Sequence, residues 1–396
     1  MDAAKTTGTG LAQPLRYEAL DSLRGVCACM VVLFHFGARG MIVNLPFIRQ
    51  GWLFVDFFFV LSGFVIAASY GGRLAQGFPF GRFMLLRAGR LYPLHIAVLA
   101  IFLAMELVGI LLPGLTPRAP FTGSRTLPDL VVSIFLLQAF NPPGGLAWNN
   151  PSWSIAAEFW TYILAALVFA RGQRAAPWIV GAIIALAGAW LGSTPQHLAH
   201  DANFGVVRCF YGFFIGVVAF WQAPRVRTMM AGWSRNAASL AEGALGLLAL
   251  WLVAVSGNGL ATLLAPPVFA LVVLVFAAER GLFSIFLLTR PMRLLGLLSY
   301  SIYMVHVFVQ GRLLDVLKIA GGKLGFVWVE SLPSGFKMVI APPFVSDVLT
   351  VIMLGLVVAV AALSYALVEK PAREWSRRTA ARWWSNPGPA ELRANS

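Results

Sequence analysis

Charge is what this sequence has least of. Only 12% of its 396 residues are Asp, Glu, Lys or Arg, while 59% are hydrophobic. A soluble protein of this length carries about twice that charged share, so a water-soluble globular chain is excluded. Cysteine is nearly absent as well. Cys27, Cys29 and Cys209 all fall in apolar stretches, too scattered for a disulfide framework and without the spacing of a CxxC metal site. No His/Asp/Glu spacing makes a metal site either, and no metal is expected. The short alternating strands of a membrane barrel are missing, as are a domain-sized polar segment and a domain-scale repeat. The N-terminal MDAAKTTGTGLAQPLRYEALD lacks the apolar core and cleavage site of a signal peptide, so the first apolar helix is expected to stay as a signal-anchor.

What the sequence has is helix-length apolar runs, at 23–43, 51–70, 91–113, 152–170, 174–192, 204–221, 241–257, 260–279, 294–315 and 347–368. They predict an all-α fold, a polytopic membrane helical bundle of about ten transmembrane helices. Residues 127–140, LPDLVVSIFLLQAF, fall short of the ~20 needed to cross a bilayer and predict a short re-entrant or interfacial helix.

Charge placement orients the bundle. With the N-terminus inside and ten crossings, the outer segments hold only Arg39, Arg49, Arg118, Arg125, Lys318, Lys323 and Lys337. Arg24, Arg208 and Arg312 lie within helices, and the other basic residues fall inside, as positive-inside topology requires. The expected organisation is a cytoplasmic segment 1–22, a transmembrane domain 23–368 and a cytoplasmic tail 369–396, with both termini in the cytoplasm. The net charge of +14 then reports basic inner loops facing lipid rather than nucleic acid. The tail begins basic and aromatic, as a surface-lying segment does, and turns disordered in character. Two outer segments, 114–151 and 316–346, are long enough to serve as lids or binding loops.

Arg24 and His35 share the first run, eleven positions apart. That is three helical turns plus about 20°, so both side chains lie on one face, separated by about 16 Å along the axis. The arginine then sits near a membrane surface and the histidine near the midplane. Ionisable groups at such depth normally face an interior site; an interfacial arginine and a helix-packing histidine are the plain alternative.

Six blocks, in order along nearly the whole chain, carry a resemblance. They are LDSLRGVCACMVVLFHF (20–36), FVDFFFVLSGFVI (54–66), RFMLLRAGRLYP (82–93), NPSWSIAAEFWTYI (150–163), LGLLSYSIYMVH (295–306) and the weaker YALVEKP (365–371). Together they resemble the acyltransferase-3 family of integral-membrane O-acyltransferases. Arg24-x10-His35 and Arg87-x-x-Arg90 match that family's two best-known motifs. The resemblance implies transfer of an acyl group, commonly acetyl, from cytoplasmic acyl-CoA to a hydroxyl of a glycan or related acceptor. Acyl-CoA is then a co-substrate rather than a tightly bound cofactor, and a bacterial inner membrane is the expected location.

The residues fit that chemistry. Arg82, Arg87 and Arg90, with Arg24, would form a cationic mouth for the phosphates of acyl-CoA; ordinary positive-inside charge is the simpler account of each one alone. His35 is the expected general base for the acceptor hydroxyl. Asp56 and Glu158 are intramembrane carboxylates, either of which would orient it. Ser152 is placed to cap the helix that begins there, and Trp153 to stack on an acceptor sugar or join the interfacial aromatic belt. Tyr300 and His306 would donate to the thioester oxygen or simply tie helices together. Arg208 is expected to pair with a carboxylate such as Glu158 or to line the cavity. A transporter or flippase using the same polar residues is the competing class, weakened by the missing inverted repeat.

Overall fold

The computed structural model describes residues 17–112, 119–140, 148–201, 203–332 and 336–384. The N-terminal residues 1–16, the Pro/Gly stretch 141–147, Arg118 and the end of the tail lie outside them. Among the described residues the chain is almost entirely helical. The main elements are α1 (Glu18–Phe34), α2 (Gly51–Ala75), α3 (Phe80–Leu111), α4 (Leu127–Ile134) and α5 (Ser152–Ala170). They continue with α6 (Gly172–Ser193), α7 (Gly205–Ala231), α8 (Arg235–Val255), α9 (Leu260–Phe276), α10 (Arg290–Leu324) and α11 (Pro343–Trp383). Eight of these are long and apolar enough to cross a membrane, and α1 and α9 are shorter companions. Each of the ten apolar runs therefore contains a helix, the first run only in its leading part. The outer faces stay apolar and exposed, as at Leu186, 73% accessible on α6, which suits contact with lipid tails.

Two close crossings build the centre. A Cβ on Gly25 of α1 would overlap the Leu295 backbone of α10, and one on Gly296 would overlap the Asp21 backbone. A Cβ on Gly63 of α2 would meet the Phe213 carbonyl of α7, and one on Gly216 the Val60 carbonyl. Without a hydrophobic drive between helices in lipid, small residues of this kind let backbones approach and gain dispersion contacts.

Helix α1 covers 18–34 rather than the expected 23–43. The apolar residues that follow leave the helix because their backbone groups bond elsewhere. Strand β1 (Val329–Ser331) pairs with β2 (Lys337–Val339). Arg39 N donates to the Val339 carbonyl at 3.1 Å, and Val339 N donates to that of Gly37 at 2.9 Å. Asp347 accepts from the amides of Met41 and Ile42 at 3.1 and 2.9 Å. His35 therefore stands at the C-cap of α1, not in mid-helix.

The eight-residue α4 is too short to cross. The amides of Phe135, Leu137 and Leu136 close the carbonyls of Val131, Val132 and Ser133, and side chains tie the end of α4 and the turn after it to the bundle. Tyr92 OH donates to Ile134 O at 2.8 Å, His95 Nε2 to Ser133 O at 2.8 Å, and Trp160 Nε1 to Leu136 O at 2.8 Å. At the far end of the chain, α11 runs through residue 369 without a break as far as Trp383. Its last part packs on the start of α3, where Gly89 meets Ser376 and Gly81 meets Trp384. The start of the expected surface-lying tail is thus a docked helix.

Candidate active site

A cavity of about 710 Å³, counting its open mouth, lies between α1, α2, α3, α5 and α10. Its charged lining is Arg24, Arg87, Arg90 and Glu158, and its hydroxyls come from Ser62, Ser154, Ser299, Tyr162, Tyr300 and Tyr303. Phe58, Phe59, Leu61, Val65 and Ile155 line it with apolar surface.

The close Gly25–Gly296 crossing puts Arg24 against α10. Its Nε donates to Ser299 Oγ at 2.8 Å and its Nη2 to the Gly296 carbonyl at 3.3 Å, with Asp21 3.3 Å away. Arg87 and Arg90 come from the first turns of α3. Arg87 Nη2 donates to Tyr70 OH at 3.4 Å, and its guanidinium stands over the Tyr70 and Tyr162 rings at 5.1 and 6.0 Å. Its Nε is buried without a partner. Among the described residues Arg90 makes no hydrogen bond and no ion pair. Two guanidiniums at one cavity thus keep unfilled donors, which is the equipment for an anion with several oxygens. A π-helical turn at Ala67–Gly71 presents Tyr70 to Arg87, and a second, Tyr365–Glu369, buries Glu369 on Ser301 Oγ at 2.8 Å and Arg373 at 3.4 Å. Such turns recur at functional sites.

Glu158 takes hydroxyls rather than arginines. Both Ser62 Oγ and Tyr162 OH donate to its Oε1, and the two hydroxyls are 3.0 Å apart. Tyr162 sits one turn beyond Glu158 on α5, so the i,i+4 spacing was open to the sequence. Ser62, arriving from α2, carried no such signal, and neither did Ser154 or Ser299.

His35 and His306 lie outside the cavity lining, behind Tyr303. Their ring centroids are 4.9 Å apart, and those of His306 and Tyr303 are 5.8 Å apart. His35 Nδ1 lies 2.9 Å from the Val31 carbonyl and His306 Nδ1 2.6 Å from that of Tyr303. A carbonyl only accepts, so each Nδ1 carries a proton and the neutral ring offers Nε2 as its basic atom. His306 is fully buried with no partner on Nε2. Arg24 and His35 do share a face of α1, since both turn to α10, but only Arg24 reaches the cavity.

Several expected residues stand elsewhere. Asp56 does not approach His35. Arg208 grips it through Nε–Oδ1 at 3.0 Å and Nη2–Oδ2 at 2.6 Å, with exposures of 2% for the arginine and 0% for the aspartate. Arg208 also donates to the carbonyls of His200 and Trp52, both at 3.1 Å, and lies over the Trp52 and Trp153 rings. Its carboxylate partner is therefore Asp56, not Glu158, and it lines no part of the cavity. Trp153, 6% exposed, is wedged against Phe59 and Gly205, which leaves no face for a sugar. Ser152 does not cap α5: its hydroxyl donates to the Asn149 carbonyl at 2.7 Å and accepts from Gln138 at 3.0 Å. Arg82 sits away from the cavity, with Nη1 3.4 Å from the Trp384 carbonyl. Tyr300 does line the cavity, its hydroxyl donating to the Leu91 carbonyl. Among the described residues no group of three or more metal-ligating side chains gathers.

Comparison with known proteins bears on this site. A family model described as an acyltransferase domain matches residues 17–367, a span that includes every residue of the cavity and both histidines. "Protein 2 in picA locus" of Rhizobium radiobacter is 33% identical over 171 residues, 41% of this chain and 85% of that protein. "Acyltransferase MdmB" of Streptomyces mycarofaciens is 28% identical over 159 residues, 38% of each chain. No solved structure matches. With the family model running from the start of α1 into α11, over a helical bundle built for lipid, the chain belongs to the acyltransferase-3 family of membrane acyltransferases.

Proposed function

We propose that this protein moves an acyl group, of acetyl size, from cytoplasmic acyl-CoA to a hydroxyl of a glycan or related acceptor. The observation that carries this reading is the pair of guanidiniums with unfilled donors, Arg87 at its Nε and Arg90, at the cavity that also holds Glu158. Guanidinium forks suit the phosphates of a CoA thioester. With the phosphates held there, the slim pantetheine arm enters among the helices and the apolar wall of Phe58, Phe59 and Ile155 receives the acyl group. The name of the Streptomyces relative, an acyltransferase, agrees with this chemistry.

His35 is the general base of the proposal. Its Nδ1 is occupied by Val31 O, so Nε2 takes the acceptor proton as the alcohol oxygen attacks the acyl carbon. The oxyanion that develops meets the cavity's guanidiniums, and CoA departs by the mouth it entered. Tyr303 separates the histidine pair from the donor cavity, so its ring moves aside for transfer. The protein on this account sits in a bacterial inner membrane with both termini in the cytoplasm, which both bacterial relatives and the basic inner loops favour.

The test is transfer from acetyl-CoA with a labelled acetyl group in membranes holding wild type or His35→Ala. The proposal expects a loss of at least about 100-fold, the contribution of a positioned base. Undiminished transfer by His35→Ala rejects it.

A further inference from the structure

Among the described cavity residues Ser62 is the one aliphatic hydroxyl that donates to a carboxylate, and the mechanism above gives it nothing to do. It donates to Glu158 Oε1, the carboxylate is held on the same oxygen by Tyr162, and Arg87 stands over the Tyr162 ring at 6.0 Å. Nucleophile, base and an orienting third group within hydrogen-bond reach are the mark of an activated hydroxyl. The surroundings suit an ester carbonyl as well. The same cavity carries Arg24, Arg87 and Arg90 for developing negative charge, and Phe58, one turn from Ser62 on α2, for the acyl group. Phe58 touches the Tyr303 ring edge-on at 5.7 Å, and His306 and His35 follow directly behind.

We propose that Ser62 carries the acyl group as a covalent ester between donor and acceptor, with Glu158 as its base. The inference rests on the acyl-CoA reading above and deepens it. In the first half, Glu158 takes the hydroxyl proton as Ser62 Oγ bonds the thioester carbon. The C–S bond then breaks and CoA leaves as its thiolate. In the second half, the acceptor oxygen bonds the ester carbon and its proton passes to His35. The C–O bond to Ser62 breaks, and the serine oxygen takes back the proton held on Glu158. His35 returns its proton to water, where the thiolate is protonated, so the sum is acyl-CoA plus alcohol giving ester plus CoA. Two half-reactions let CoA stay on one side of Tyr303 while the acceptor approaches from the other.

The experiment uses the purified full chain in lipid nanodiscs, without acceptor. Three quantities are read: exchange of labelled CoA into acetyl-CoA, acetyl label on the protein mapped by peptide mass spectrometry, and binding of a non-transferable CoA thioether. Wild type is expected to exchange and to carry the label on Ser62. Ser62→Ala should bind the thioether like wild type yet lose exchange at least 100-fold, and Ser62→Cys should regain a label, now as a thioester. Exchange at the wild-type rate by Ser62→Ala, or a label mapped to another residue, overturns the inference. So does thioether binding by wild type with no exchange, which leaves the donor reading standing. A wild type that binds no thioether overturns both. If Ser62→Ala loses thioether binding and Ser62→Cys takes no label, Ser62 only holds α2 to α5 and the inference is overturned.

Discussion

Arg208 closes on Asp56 with two hydrogen bonds, at 3.0 and 2.6 Å, at a point where neither side chain meets solvent. The pair joins α7 to α2 and explains why two ionised groups survive there, since each cancels the other's burial cost and the guanidinium's remaining donors go to backbone carbonyls. Asp56→Asn leaves the arginine uncompensated. We expect a loss of about 3–5 kcal/mol in stability, seen as a lowered thermal unfolding midpoint in detergent. The protein that stays folded should keep the wild-type pH dependence of transfer, because Asp56 does not touch His35. A shifted pH profile would return Asp56 to the catalytic machinery.

The α2–α7 contact that holds this ion pair depends on glycine. Gly63→Ala puts a methyl group into the Phe213 carbonyl, and Gly216→Ala into that of Val60. Backbone is in the way, so relief requires the helices to part. Each change is expected to cost about 1–3 kcal/mol, whereas Gly246→Ala on α8, with open space around it, should leave the unfolding midpoint unchanged.

His95 is buried on α3 and donates to the Ser133 carbonyl at the end of α4. His95→Leu removes that side-chain bond and leaves the carbonyl only its backbone donor, Leu136 N at 3.2 Å, at a cost of about 0.5–1.5 kcal/mol. Hydrogen exchange in 127–137 should speed up first, since this short helix has few bonds of its own. Affinity for acetyl-CoA should not change. An unaltered exchange rate would mean that α4 is held by other contacts.

Much of this arrangement is legible in the sequence. Helix-length apolar runs fix the bundle because lipid forces every backbone group to be paired within a segment, and 127–140 was visibly too short to cross. The shared face of Arg24 and His35 followed from helical periodicity alone. Partner choice was not legible. Asp56, Glu158 and Arg208 all read as ionisable groups at depth, and only tertiary packing settles that Arg208 takes Asp56 and leaves Glu158 to Ser62 and Tyr162. Glu242 passed unnoticed for a related reason. It is fully buried, yet it accepts from the amides of Gly281 and Ser284, a contact across 39 positions of chain and more. The end of α1 is not legible in the sequence because Gly37 and Arg39 bond to β2, some 300 residues away, which no local pattern encodes.

Donor binding turns on what the free donors of Arg87 and Arg90 receive. The direct measurement is the equilibrium affinity of purified protein for acetyl-CoA, compared between wild type and the Arg87→Gln and Arg90→Gln variants. A charge-assisted bond to phosphate is worth about 1.5–3 kcal/mol, so each variant should weaken binding by roughly 10- to 100-fold, with thermal stability little changed. Acetyl-CoA affinity unaltered in both would contradict the account.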